Sequence, residues 1–73
     1  MVMQAITEHI NNFVEASGTT KDAIAARIGL SRSAFYTRTN GTRPWILDEV
    51  IALADVLGIT VQELITPIED EQR

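Results

Sequence analysis

The chain is 73 residues long, with ten acidic residues, six basic ones, one histidine and no cysteine, for a formal net charge of −4. That length makes one domain, which buries only about 60% of the surface its unfolded form exposes, and no disulfide or thiolate-held metal can support it. No stretch approaches the ~20 continuous apolar residues of a membrane span, and the start, MVMQAITEHI, carries Glu8 and no basic n-region, so it is not a signal peptide and a cytoplasmic setting is expected.

Met3, Ile6, Ile10, Phe13 and Val14 recur at three- and four-residue spacing, which predicts an amphipathic helix over 2–16, ended by Gly18. A second helix is predicted at about 21–28. Thr20 can cap it, Ile24 and Ile28 share its inner face, and Ala23, Ala25 and Ala26 favour helix and allow close approach. Gly29 ends this helix, Leu30 drops into the core, and Ser31 caps a third helix at about 32–39. There Ala34 and Phe35 face inward, while Arg32, Ser33, Tyr36 and Thr37 face outward. Asn40-Gly41 stops the helix, and a loop follows over 41–44. Leu47, Val50, Ile51, Ala54 and Leu57 predict the apolar stripe of a fourth helix, with Asp48, Glu49 and Asp55 largely outward and Gly58 closing it. Thr60 and Glu63 have capping-box spacing before a short fifth helix at about 61–66, stopped by Pro67. Residues 68–73 read as a frayed acidic tail. No stretch alternates as a strand does. The expected fold is all-α, a compact bundle of five short helices with a central helix-turn-helix.

Charge is divided along the chain. Residues 1–19 carry Glu8 and Glu15; residues 46–73 carry seven acids against Arg73. Between them, residues 20–45 hold Lys21, Arg27, Arg32, Arg38 and Arg43 against Asp22, a net +4. Basic groups gathered on one helical pair suit nucleic acid phosphates, even in an acidic protein. Lys21 and Arg32 each fall in the first turn of a helix, where the dipole disfavours a cation by ~0.3–1 kcal/mol. DNA would supply the missing negative partner.

Ala25, Gly29, Ser31, Phe35, Asn40 and Gly41 resemble the helix-turn-helix of the Xre/Cro/lambda-repressor family. The resemblance continues through Leu53-Ala54, Leu57-Gly58-Ile59 and Glu63-Leu64, so it covers nearly the whole chain to Ile65. It implies a DNA-binding domain over 1–66, with 67–73 as the acidic tail. It also implies that the third helix enters the major groove. By matching positions, Arg32, Ser33 and Thr37 would meet base edges, with Tyr36 beside them. Arg32 is the leading candidate, because its fork can donate to O6 and N7 of guanine. Tyr36 suits a phosphate contact or partial core packing. Lys21, Asn40, Thr42 and Arg43 would meet phosphates.

Three positions depart from the family pattern. Arg38 stands where an apolar residue is usual, so its uses are to run its stem along the core, pair with a carboxylate, or reach a DNA phosphate. Thr39 replaces a common glutamate, and with it an ion pair typical of the family. Trp45-Ile46 replaces the usual polar cap before the fourth helix, with core packing expected of Trp45.

Nothing points to catalysis. His9, the lone histidine, is expected on the surface and has no metal constellation around it. Ser17, Ser31 and Ser33 lack a base. No cofactor or metal is expected. The expected partner is double-stranded operator DNA, read by a homodimer. Ile46, Val56, Ile59, Val61, Ile65 and Ile68 supply a surplus of apolar residues for a dimer patch. The rival is a protein-interaction module of the same fold, such as an antitoxin or antirepressor, holding a protein partner whose identity the sequence does not give.

Overall fold

The computed structural model describes residues 2–68, with side chains from Gln4 onward. It is all-helical among those residues. The elements are α1 (Val2–Ser17), α2 (Lys21–Arg27), α3 (Arg32–Thr39), α4 (Leu47–Leu57) and α5 (Val61–Leu64). The first four helices match the expected bounds closely. The fifth ends two residues early, because the Ile65 N–H still bonds back to Val61 but the chain then turns toward Pro67. The acidic residues of the expected tail lie outside the described residues.

Each boundary around the central pair has a local cause. Thr20 accepts from the Ala23 N–H at 3.1 Å, and Ser31 accepts from the Ala34 N–H at 3.1 Å. Each bond satisfies one of the free donors that open a helix. At the end of α2, Gly29 adopts φ +81°. That turn lets the Gly29 and Leu30 N–H groups bond back to Ala26 and Ala25, at 3.2 and 3.0 Å. The paired bonds satisfy carbonyls that would otherwise be left open, and an L side chain resists that φ. Gly58 ends α4 in the same way, with φ +74° and Ile59 N–H on Ala54 O at 3.0 Å.

The core gathers one or more side chains from every helix: Ile6 and Ile10, Ile24 and Ala25, Phe35, then Leu53, Ala54, Leu57 and Leu64. Phe35 is wholly buried and is the largest of the fully buried side chains. Helix α3 therefore has a fixed back and a free front. Two further bonds brace α1 against later elements. Thr7 Oγ1 donates to Thr39 O at 3.1 Å, at the end of α3. His9 Nε2 lies 2.8 Å from Thr66 O, so its ring carries a proton there and donates across to the end of α5. His9 is thus half-buried and tethered, not a plain surface residue.

Helix α4 is rotated from the expected orientation. Val50, Leu53, Ala54 and Leu57 face the core, whereas Leu47 is 68% exposed and Ile51 about half exposed. Glu49 is buried, contrary to its expected outward position. The cause is Arg38 of α3, whose Nε sits 2.8 Å from Glu49 Oε1. The same carboxylate oxygen accepts the Ile46 N–H at 3.2 Å. Ile46, at the cap position, has no side-chain oxygen to accept from the first N–H groups of α4, so only the reciprocal half of a capping box forms, with Glu49 reaching back to the Ile46 N–H. Val56, Ile59 and Val61 of the expected dimer patch pack instead against the core.

Candidate nucleic-acid interface

The front of α3 is set by two residues behind it. Phe35 fills the core, and Trp45, in the loop after α3, meets its ring edge-on at 5.8 Å with an 80° interplanar angle. Trp45 is half-buried, which agrees with core packing, although its buried Nε1–H has no acceptor among the described residues. With Phe35 inward, the helical period turns Arg32, Ser33 and Tyr36 outward, and all three are exposed.

Arg32 is not a free cation. Its Nε lies 3.4 Å from Asp22 Oδ1, with the two side chains 70% and 53% exposed. Its Cζ stands 5.9 Å from the centre of the Tyr36 ring, within cation–π range. The negative partner expected from DNA is therefore partly supplied by α2. Tyr36 in turn leans on Phe35, with ring centres 6.2 Å apart, so it is both a partial core residue and the side wall of Arg32.

Thr37 is less available than expected. It is half-buried, and its hydroxyl donates to Ala34 O at 2.8 Å. Its carbonyl accepts both the Thr42 and Arg43 N–H groups, at 2.9 and 3.0 Å, so its main role in the fold is to hold the following loop against α3.

That loop is a built turn. Asn40 Oδ1 accepts from Thr42 N–H at 2.9 Å and from the Thr42 hydroxyl at 2.6 Å. Asn40 is left with its NH₂ for an outside acceptor. Thr42 is left with an acceptor oxygen, which does not suit a phosphate. Arg43 is exposed on the same turn, and Lys21 is half-buried at the start of α2. Among the described residues neither makes an ion pair.

Arg38 leaves the phosphate set. Its Nε donates to Glu49, its Nη1 donates to Ala34 O at 2.9 Å, and its side chain is only 16% exposed. Of the three uses open to it, the structure shows the carboxylate pair. The chain thus keeps a buried ion pair, between Arg38 and Glu49, despite the threonine at position 39. Burial pushes the Glu49 carboxyl up, but the Arg38 hydrogen bond, the Ile46 N–H and the Arg38 charge outweigh it and hold the group below its ordinary value of 4.5.

The groups brought together are therefore Arg32, Ser33 and Tyr36 on α3, Lys21 on α2, and Asn40 and Arg43 on the loop. Asp22 belongs with them and was counted in the sequence only as an offsetting charge. Its place two residues into α2, across the turn from Arg32, was the available signal. No group of three His, Asp or Glu side chains that could hold a metal occurs among the described residues. No helix among them is long and apolar enough to cross a membrane.

The family model for the Cro/C1-type HTH DNA-binding domain matches residues 9–70, most of the chain. No curated protein and no solved structure gives a significant match.

Proposed function

The chain belongs to the Cro/C1-type helix-turn-helix DNA-binding family, and from that premise we propose a sequence-specific, repressor-like transcriptional regulator that occupies an operator with α3 in the major groove. The observation that carries the reading is the front of α3. A helix pinned from behind by Phe35 offers Arg32 and Ser33 at its first turn, with Lys21 and Arg43 as cations flanking it. Arg32 and Ser33 read base edges, Tyr36 supports them, and Lys21, Asn40 and Arg43 fix the register on phosphates. Thr37 adds at most its methyl or an acceptor lone pair. The regulator acts in the cytoplasm, by occupancy, and needs no catalytic step.

One recognition helix reads too few base pairs to single out a site in a genome. Two copies on a two-fold operator double the information. The exposed apolar side chains Ile46, Leu47 and Ile51 on and before α4 suit contact between the copies. Selection from random duplexes tests the whole reading. The expected result is a two-fold sequence with a guanine in each half-site. Failure to enrich any sequence, with a folded protein, would overturn it.

The exposed Leu47 also favours a second reading, in which this patch holds a different protein. Purification from the native cell separates them: the first expects nucleic acid and a second copy of the chain, the second a stoichiometric foreign protein.

A further inference from the structure

We propose that Asp22 is a positioning residue for sequence reading, bracing Arg32 so that the outer edge of its guanidinium meets a guanine end-on. This rests on α3 being the recognition helix. An unrestrained arginine on a surface samples many rotamers and loses that freedom on binding. Arg32 is exposed yet held from two sides: Asp22 Oδ1 is 3.4 Å from its Nε, and the Tyr36 ring lies 5.9 Å from its Cζ. Tyr36 is four residues along on α3, whereas Asp22 comes from α2, so the brace spans the turn that joins the two helices.

A guanidinium can present a parallel pair of donors from its Nε side or from its Nη1–Nη2 end. Asp22 lies nearest the Nε side, as an ion-pair contact at 3.4 Å. The end remains, and it matches the O6 and N7 acceptors of guanine; adenine at that place would present its N6 amino group, a donor facing a donor. Stability does not explain the pair, because an ion pair this exposed is screened by water and adds little to folding. An acid in the basic face also repels phosphates of any sequence. Asp22 therefore lowers non-specific affinity while it sharpens the choice of base.

The test compares binding to the duplex selected by the wild-type chain with binding to the same duplex carrying adenine in place of the guanine. The readout is the ratio of the two dissociation constants. Asp22→Ala and the isosteric Asp22→Asn should each lower that ratio by about three- to tenfold per half-site, the freedom of one arginine side chain. Both should bind the adenine duplex more tightly than wild type. Arg32→Ala should bring the ratio near one, and adding Asp22→Ala to it should change the ratio no further. A purely structural role for Asp22 would weaken both duplexes equally. A relaxed ratio in Arg32→Ala beside an unchanged one in the Asp22 variants overturns the brace alone. An unchanged ratio in Arg32→Ala overturns the base-reading role of Arg32, and the brace with it. A ratio that still responds to Asp22→Ala in the Arg32→Ala background overturns the proposed route of action.

Discussion

Arg32 and Arg43 are both exposed cations, but only Arg32 sits on α3, the helix proposed to enter the groove. Arg32→Ala should cost ~1–3 kcal/mol per half-site and flatten the preference at one base position. Arg43→Ala should weaken all sequences alike and reduce the salt slope by about one per half-site. Sequence selection repeated on each variant checks this, and the opposite pattern would reverse the assignments. Arg38 behaves differently, since it is buried against Glu49. Replacing Glu49 with Gln leaves a buried guanidinium without its charge partner and should cost about 2–3 kcal/mol near neutral pH. The folded carboxyl titrates below its ordinary value of 4.5, so the pair's stabilisation is fully present above that value and is lost as pH falls through the folded value. Thermal unfolding of wild type and Glu49→Gln should therefore converge in acid. A gap that stays constant from neutral pH to well below 4.5 would show that the charge is not what matters. Arg32, outward at the start of α3, was legible because helical period and a cap decide it. Arg38 was not, because its partner lies eleven residues away and a long side chain has several uses until its carboxylate is known.

At the scale of the element, the helix ends were legible wherever a single residue type dictates the backbone. Thr20, Ser31 and Thr60 accept from N–H groups three residues on, and Gly29 and Gly58 take the left-handed turn. Ser31→Ala should cost about 1 kcal/mol, because the Ala34 N–H loses its acceptor. It should leave base preference unchanged, since Ser31 precedes the reading face. Chemical denaturation and sequence selection on the same variant check both halves; altered preference would mean that the cap also sets the pitch of α3 into the groove. The cap of α4 was not legible, because Ile46 offers no side-chain acceptor and the bond there is the Ile46 N–H donating to Glu49. Nor was its inner face. Leu47, Val50, Ile51, Leu53, Ala54, Val56 and Leu57 make the helix apolar almost all round, so two stripes at proper spacing compete. The stripe that wins is the one that also brings Glu49 to Arg38, a tertiary contact that periodicity does not contain.

The described residues measure about 36 × 25 × 20 Å, and the charge of the chain is as uneven as their shape, with +4 gathered in residues 20–45. Withdrawing Arg38 into its pair with Glu49 leaves Lys21 and Arg43, with Arg32, as the cations proposed to meet DNA. If two copies together neutralise ~6 phosphates, log K should fall with log salt at a slope of about −5. Binding that ignores salt would mean that the face is not electrostatic. Two copies side by side can span half-site centres ~34 Å apart, one turn of DNA, given the long axis of each. The apolar surface proposed to join them is narrower than the sequence suggested, since Val56, Ile59 and Val61 pack against the core. Ile46, Leu47 and Ile51 remain exposed, at a helix start that the Arg38–Glu49 pair fixes against the end of α3, and Ile65 and Ile68 remain exposed after α5. A stable dimer in solution needs about 800 Å² per partner, and these few side chains, split between the start of α4 and the end of α5, fall short of it. The chain should therefore sediment as a monomer at micromolar concentration and pair only on its operator, where the DNA holds both copies in place. Leu47→Gln is the variant that tests this, because Leu47 is 68% exposed and its loss should not disturb folding. A fully buried leucine is worth ~1.5–3 kcal/mol, and a two-fold contact covers two of them, so the variant should lose at least about tenfold in affinity for the intact operator. Its affinity for a duplex with one half-site should be unchanged. Equal losses on both duplexes, or one chain per intact operator, would remove Leu47 from the contact between copies and leave its exposure to a different partner.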